Sequence, residues 1–305
     1  MDVSPPTDED GLRGLMFSIA YRMTGSVSDA EDLVQEGFFR LERARQGGTV
    51  IESPKAYVAA VTTRLAIDHM GSARVRRESY VGTWLPEPIL ADRHEYPEQV
   101  AELSDSLSMA FLILLESLSP VERAVFLLRE VFDYSYADIA HIVDKSEANC
   151  RQIFGRARQH LDTNQPRYEA STEHSDRLLQ AFLAATRDGD LDQLIDALAA
   201  DVVFCGDGGG QVTAITQPLY GRDQVATFLR IVFQGARRLR FSFEPVIVNG
   251  GPGMISRDTE GKIVGVLSFE FSEGTIHTMR SIVNPDKLQH LGPVSDVLRP
   301  PARAS

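Results

Sequence analysis

LSPVERAVFLLREVFDYSYADIAHIVDKSEANCRQIFGRARQHL, residues 118–161, carries three helix starts in close succession. Ser119, Pro120 and Glu122 combine a hydroxyl N-cap, a proline at the first helical position and a carboxylate placed to close a capping box. Ser135 and Asp138 repeat the cap one helix later. Ser146 opens a third helix, on which Cys150, Phe154, Ala157 and Leu161 recur at helical spacing as the buried face. The three segments read as helices ending in a helix-turn-helix. Asn149, Arg151, Gln152, Arg156 and Arg158 remain on the outer side. A helix of this size fits the major groove, where side chains near its N-terminus meet base edges; Arg156 and Arg158, a turn or more later, suit phosphates. The competing reading is a helical hairpin with a solvated basic face. Ile153 either packs inward or touches a thymine methyl.

The chain has 305 residues, enough for two or three compact units, and its 43% hydrophobic and 24% charged content is that of a globular protein. The two cysteines, Cys150 and Cys205, make no disulfide framework and no metal spacing, so neither a metal nor a cofactor is expected. MAFLILL at 109–115 is too short to cross a bilayer, no secretory leader is read at the N-terminus, and a cytoplasmic location is the default expectation. A net charge of -12 argues against holding DNA by general electrostatic attraction. Two local clusters oppose that charge, Arg74, Arg76 and Arg77 in one and Arg151, Arg156 and Arg158 in the other. Between them lies an acidic interval with Asp92, Glu95, Glu98, Glu102 and Asp105. Basic patches on an acidic chain imply DNA binding assisted by a partner.

Upstream, Leu15, Met16, Ile19, Ala20 and Met23 share a helical face that Gly25 ends. Ser28 with Glu31 reads as a capping box opening the next helix. Leu33, Val34, Phe38 and Leu41 face inward there, and Asp29, Asp32, Gln35, Glu36 and Arg40 outward. That acidic face is either solvated or a docking surface. Ser53-Pro54 starts a third helix that begins apolar and ends basic.

DAEDLVQEGFFR, then RLAIDHMGSARVRRE, then the helix-turn-helix, occur in the order found in sigma factors of the extracytoplasmic-function class of the sigma-70 family, and the chain resembles that family over residues 12–161. The resemblance implies that Asp29, Asp32, Gln35 and Glu36 dock on the beta-prime clamp of core RNA polymerase and that the helix-turn-helix lies at its beta flap. It implies that Arg64, Arg74, Arg76 and Arg77 face the -10 promoter element, and that Asn149, Arg151, Gln152, Arg156 and Arg158 face the -35 element. WLPEP (Trp84, Leu85, Pro86, Glu87, Pro88) and the long C-terminal extension resemble the subgroup with a fused SnoaL-like domain. By chemistry alone, two prolines stiffen that segment and Trp84 is an apolar anchor, suiting a linker pinned against a neighbouring domain or a tryptophan buried in its own. Glycine and isoleucine at Gly155 and Ile153 depart from the family's usual recognition helix. No side chain in the 46–52 loop is assigned to a flipped -10 base.

In the C-terminal third, residues 175–204 read as two helices broken at Gly189 and then a strand, 221–236 as a further helix, and four alternating stretches as strands. The order implies an α+β, cone-shaped SnoaL-like barrel. DGGG (Asp207, Gly208, Gly209, Gly210) and NPDKL (Asn284, Pro285, Asp286, Lys287, Leu288) resemble subgroup motifs and are expected to form regulatory surfaces between domains. The cone invites a small ligand and an enzymatic alternative in which Asp207 and His277 exchange a proton. A second alternative is a one-component regulator that binds duplex DNA without polymerase.

The resulting expectation is a multidomain chain of two all-α sigma domains, the second a helix-turn-helix, plus the α+β domain. A mobile N-terminus spans 1–11, sigma region 2 spans 12–82 and an acidic linker 83–107. Sigma region 4 spans 108–163, a linker 164–172, the SnoaL-like domain 173–291 and a flexible tail 292–305. The function expected is promoter-specific initiation with core RNA polymerase and promoter DNA as partners, no membrane, no catalytic residue, and activity modulated by the fused domain.

Overall fold

The computed structural model describes residues 8–91, 105–164, 182, 191–272 and 274–300, with the side chains of 8, 73–78, 105 and 164 outside the description. The acidic interval at Asp92, Glu95, Glu98 and Glu102, the linker at 165–172, most of the helices read at 175–190, and the side chains of Arg74, Arg76, Arg77 and Asp105 therefore lie outside the described residues. The chain divides into two units, Met1–Glu78 with Leu112–Gln165, and Ser79–Phe111 with Pro166–Ser305.

The first unit is helical. α1 (Asp8–Thr24), α2 (Val27–Gln46) and α3 (Pro54–Glu78) pack on one another around Leu12, Met16, Val34, Leu41 and Val58. Gly37 lets α1 and α2 approach closely, because a Cβ there would meet the end of the Met16 side chain. The N-cap of α2 is Ser26, whose hydroxyl accepts from the Asp29 amide at 3.1 Å, and not Ser28 as the spacing to Glu31 suggested. Ser28 already sits inside the helix, so the true cap lies two residues upstream. α4 (Met109–Leu115) leads to α5 (Pro120–Glu130), α6 (Tyr136–Val143) and α7 (Glu147–Asn164). Ser119 and Glu122 close the capping box read in the sequence, and Ser135 and Ser146 cap α6 and α7. Asp144 takes the left-handed conformation (φ 54°) that turns the chain between the last two helices. Val125, Leu128, Ile139, Ile142, Cys150 and Ile153 form their core. Ile153 thus packs inward.

The second unit is a seven-stranded sheet in the order β1-β4-β5-β6-β7-β2-β3. Its strands are β1 (Leu90–Ala91), β2 (Leu198–Asp207), β3 (Leu219–Tyr220), β4 (Ser242–Val248), β5 (Gly251–Arg257), β6 (Ile263–Ser272) and β7 (Thr275–Ile282). Neighbours are antiparallel except β2 and β7. A short α8 (Asp192–Asp196) precedes β2, and α9 (Arg222–Leu239) packs its Val225, Leu229 and Phe233 into a core with Phe204, Met254, Phe269 and Met279.

Two boundaries differ from those read in the sequence. Residues 8–11 already belong to α1. The proposed tail is anchored through residue 298, by the Ile263–Val294 bridge, the Ser295 hydroxyl donating to Asp258 at 2.6 Å and the Thr213 amide donating to Leu298 O at 2.9 Å.

Candidate promoter interface and linker clasp

On α7 the side chains of Asn149, Arg151, Gln152, Arg156 and Arg158 are all exposed, while Cys150, Ile153, Ala157 and Leu161 are buried. The period that buries one set presents the other. Arg151 pairs with Glu147 at 2.7 Å and lies 5.0 Å from the Tyr136 ring centre, and Arg158 stands 3.9 Å from Asp162. Such exposed (i, i+4) pairs are worth about 0.3–0.5 kcal/mol, so a phosphate or base edge can take these guanidiniums over.

On α2, Asp32, Gln35 and Glu36 are exposed, with Glu36 held to Arg40 at 2.8 Å. Asp29 is partly withdrawn and its carboxylate meets His69 Nε2 at 3.1 Å. One residue missed in the sequence stands beside them. Phe39, 62% exposed, falls seven residues after Asp32 and three after Glu36, on the same stripe. A single exposed ring is ordinary on a folded surface, and what singles Phe39 out is its place on the stripe of Asp32 and Glu36. The signal was present as the second of two consecutive phenylalanines, only one of which can face inward.

Arg64 does not stand clear of its own unit. Its Nε donates to Ile142 O at 2.8 Å and its Nη2 to His141 O at 2.7 Å, so it caps the C-terminal carbonyls of α6. Arg123, 1% exposed, donates to Met23 O and Leu115 O, each at 2.6 Å, and to Glu116 at 2.8 Å. Two arginines therefore hold the three N-terminal helices and the helix-turn-helix together in this arrangement.

The second unit contains a buried polar site assembled from three distant stretches. Asp207, 0% exposed at the end of β2, accepts from Tyr80 Oη, from the Leu85 amide at 2.8 Å, from the Gly209 amide at 3.2 Å and from Lys287 Nζ at 2.6 Å. Lys287 Nζ donates also to Leu85 O and lies 4.2 Å from the Trp84 ring centre. Asn284 Nδ2 donates to Tyr80 Oη at 2.8 Å. Burial first, and then the hydrogen bond to Asp207, drives the Tyr80 phenol far above its usual value, so it stays a neutral donor. Gly209 adopts φ 60°, and a Cβ there would overlap the Asn284 side chain. Leu85, Pro86, Glu87 and Pro88 are buried, and Leu85 alone contributes about 2 kcal/mol of apolar burial. Pro285 and Leu288 are buried with them, while Asp286 is exposed and accepts from Gln211.

Beyond the WLPEP stretch the chain continues along the sheet. Pro88 O lies 2.8 Å from His290 Nε2, and Asn249 receives the Ile89 amide at 3.1 Å and donates to Leu107 O at 3.1 Å. Leu90 and Ala91 then pair with Val248 and Ile247 as the edge strand β1. Residues 79–91, read from the sequence as the end of the first helical domain and the start of a linker, are built into the second unit.

Asp207 and His277 do not converge. Asp207 registers with Ile282 on β7, five residues beyond His277, which at about 3.3 Å per residue is roughly 16 Å. His277 instead faces Asp201 at 3.5 Å and Thr275 Oγ1 at 3.1 Å. A cavity of about 450 Å³ lies between α9 and the strands, with Phe204, Phe228, Met254 and Val266 in its wall. No helix among the described residues is long and apolar enough to cross a membrane.

Residues 11–76 match the model of sigma-70 region 2, residues 108–161 that of sigma-70 region 4, and residues 179–286 that of the SnoaL-like domain. These define a sigma-70-type chain with a fused SnoaL-like domain. The chain belongs to the extracytoplasmic-function (ECF) RNA polymerase sigma factors, and as such is an alternative sigma factor directing transcription initiation. It is 32% identical over 289 residues to the ECF RNA polymerase sigma factor SigJ of Mycobacterium tuberculosis, covering 91% of each chain. It is 33% identical over 284 residues to the probable ECF RNA polymerase sigma factor SigI of the same species, covering 92% of this chain and 93% of that one. The crystal structure of the M. tuberculosis SigJ superimposes with a TM-score of 0.74 at 29% identity, covering 94% of this chain and 98% of that one.

Proposed function

We propose that this sigma factor docks on core RNA polymerase through Asp32, Gln35, Glu36 and Phe39 of α2, with Asp29 at the edge of that surface. The α7 face of Asn149, Arg151, Gln152, Arg156 and Arg158 reads the -35 element. Arg64, Arg74, Arg76 and Arg77 serve the -10 element, which requires Arg64 to leave the α6 carbonyls it caps. The SnoaL-like domain regulates the pair of sigma regions by holding the chain that joins them.

One observation carries the regulatory part: WLPEP is locked to the second unit by the buried Asp207–Lys287 pair, with Tyr80 and Asn284 completing the network. The two sigma regions are joined through this segment, so a clasp upon it limits how far they can separate. The -10 and -35 elements are separate stretches of DNA, and engaging both demands freedom in the connection.

The test is promoter-specific transcription by core polymerase supplemented with the full chain, with Asp207→Ala, or with a chain truncated after Tyr168. Initiation by the full chain and an altered extent with both variants supports the reading. Equal transcription from all three removes the regulatory role, and failure of the full chain to bind core polymerase removes the docking assignment. A Phe39→Ser variant separates the two, because it should lose polymerase affinity while leaving the clasp intact.

A further inference from the structure

The cavity between α9 and the sheet falls inside the range of about 300–1,000 Å³ usual for small-molecule sites, at about 450 Å³. Among the described residues its wall contains no Asp, Glu, Lys, Arg or His, and the hydroxyls of Thr213, Ser256 and Ser281 are the polar side chains there. A charged group carried into that interior would lose its hydration without a partner. The interior therefore suits a hydrocarbon body.

The mouth is different. Ile231 and Leu239 line the cavity and yet are 64% and 41% exposed, so the opening runs along the outer flank of α9. Arg238 follows Ile231 by seven residues and Gly235 by three, which places it on that flank. Arg240 ends the helix immediately before Phe241, another wall residue. Both arginines are exposed, and among the described residues neither side chain has a hydrogen bond or ion pair. Residues 224–243 hold four arginines and no Asp or Glu, within a chain of net charge -12. Arg237 and Arg238 in the last turn complement the dipole of α9, and with Arg240 beside them the mouth of an uncharged cavity carries a local excess of cations.

We propose that the cavity binds an anionic amphiphile as a single molecule, its acyl chain between α9 and the sheet and its carboxylate at Arg238 and Arg240. The head stays hydrated at the surface and gains charge-assisted hydrogen bonds there, while the chain fills the apolar interior. The cavity wall includes Gly206 and Val283, whose next residues, Asp207 and Asn284, belong to the clasp. An occupant thus touches the two strand ends that hold WLPEP, although binding itself does not depend on the regulatory reading.

Calorimetric titration of the full chain with octanoate, dodecanoate and 1-dodecanol, each below its aggregation concentration, tests this. Dodecanoate is expected to saturate a single site, more tightly than octanoate and about fivefold or more tighter than dodecanol. An Arg238→Gln, Arg240→Gln double variant should bring dodecanoate and dodecanol to equal affinity. Gly235→Phe should abolish binding, because a Cβ at Gly235 meets nothing within 4 Å and the ring would occupy the space. Its melting temperature checks that it folds; if it does not, the comparison of the three ligands on the unaltered chain decides alone. Absence of saturable binding, equal affinity for the acid and the alcohol on the unaltered chain, or undiminished binding to a folded Gly235→Phe each overturns the proposal.

Discussion

Arg151 and Lys287 are two versions of one arrangement, a cation between a carboxylate and an aromatic ring. Arg151 meets Glu147 at 2.7 Å and lies 5.0 Å from Tyr136, with the two charged side chains 55% and 47% exposed. Lys287 meets Asp207 at 2.6 Å and lies 4.2 Å from Trp84, with the pair 8% and 0% exposed. Water makes the difference. In the first, solvent screens the attraction and keeps the guanidinium available to exchange its partner. In the second, neither charge can be released singly without leaving the other buried and uncompensated. The exposed trio suits recognition, and the buried one suits a switch with two states.

The largest effect expected from breaking this comparison is at Lys287. Lys287→Met leaves the Asp207 carboxylate buried and unpaired and should destabilise the second unit by about 3–5 kcal/mol, read by calorimetric melting. The emission of Trp84, the single tryptophan of the chain, should shift with it. The Asp207→Leu, Lys287→Met double variant should recover only part of that loss, since it removes the uncompensated charge but leaves the Leu85 amide and carbonyl and the Tyr80 hydroxyl without these partners.

Gly209→Ala comes next. A side chain forced to φ 60° and against Asn284 should cost about 1–3 kcal/mol, with Trp84 emission again reporting the site. The same substitution at Gly155, on the exposed flank of α7 where a Cβ meets nothing within 4 Å, should instead stabilise that helix by about 1 kcal/mol.

Tyr80→Phe removes one donor to Asp207 and one acceptor from Asn284, an expected loss of about 1–2 kcal/mol. Its pH dependence has a definite sign. The folded-state pKa is raised, so the contribution of Tyr80 is fully present below the unfolded value of about 10 and is lost as pH rises beyond it. In ultraviolet titration of the folded chain, the phenols of Tyr80 and Tyr134 should both resist ionisation where exposed tyrosines titrate, and Tyr80→Phe should remove one of these resistant steps.

The smallest effect on stability is expected at Arg151. Arg151→Ala should change the melting free energy by less than about 0.5 kcal/mol, yet weaken binding of the holoenzyme to -35 DNA and lower the salt dependence by about one counterion. If Arg151→Ala proves as destabilising as Lys287→Met, the contrast between exposed and buried trios fails.

How much of this was legible in the residues follows the same division. Ser119, Pro120 and Glu122 state their helix start locally, and the period of Cys150, Ala157 and Leu161 states which face of α7 is buried. Ser26 and Ser28 are chemically equal candidates for the cap of α2, and only the folded helix distinguishes them. Phe39 was passed over because an apolar residue on a helix is ordinarily counted toward the core. DGGG and NPDKL stand out as motifs, while their packing on WLPEP is a property of the fold. No local pattern tells that Asp207 receives Leu85 N–H, a contact across 122 positions of chain.

Caps and hydrophobic periods are settled within one or two turns of chain, so the residues alone are enough for the longer helices, the exposed face of α7, the longer strands and the family. Tertiary structure alone decided that residues 79–91 belong to the second unit, that Arg64 caps α6, and that Asp207 and His277 lie apart. It also decided that a buried carboxylate finds its lysine and its phenol, since long-range contacts depend on which surfaces meet after the local elements have formed.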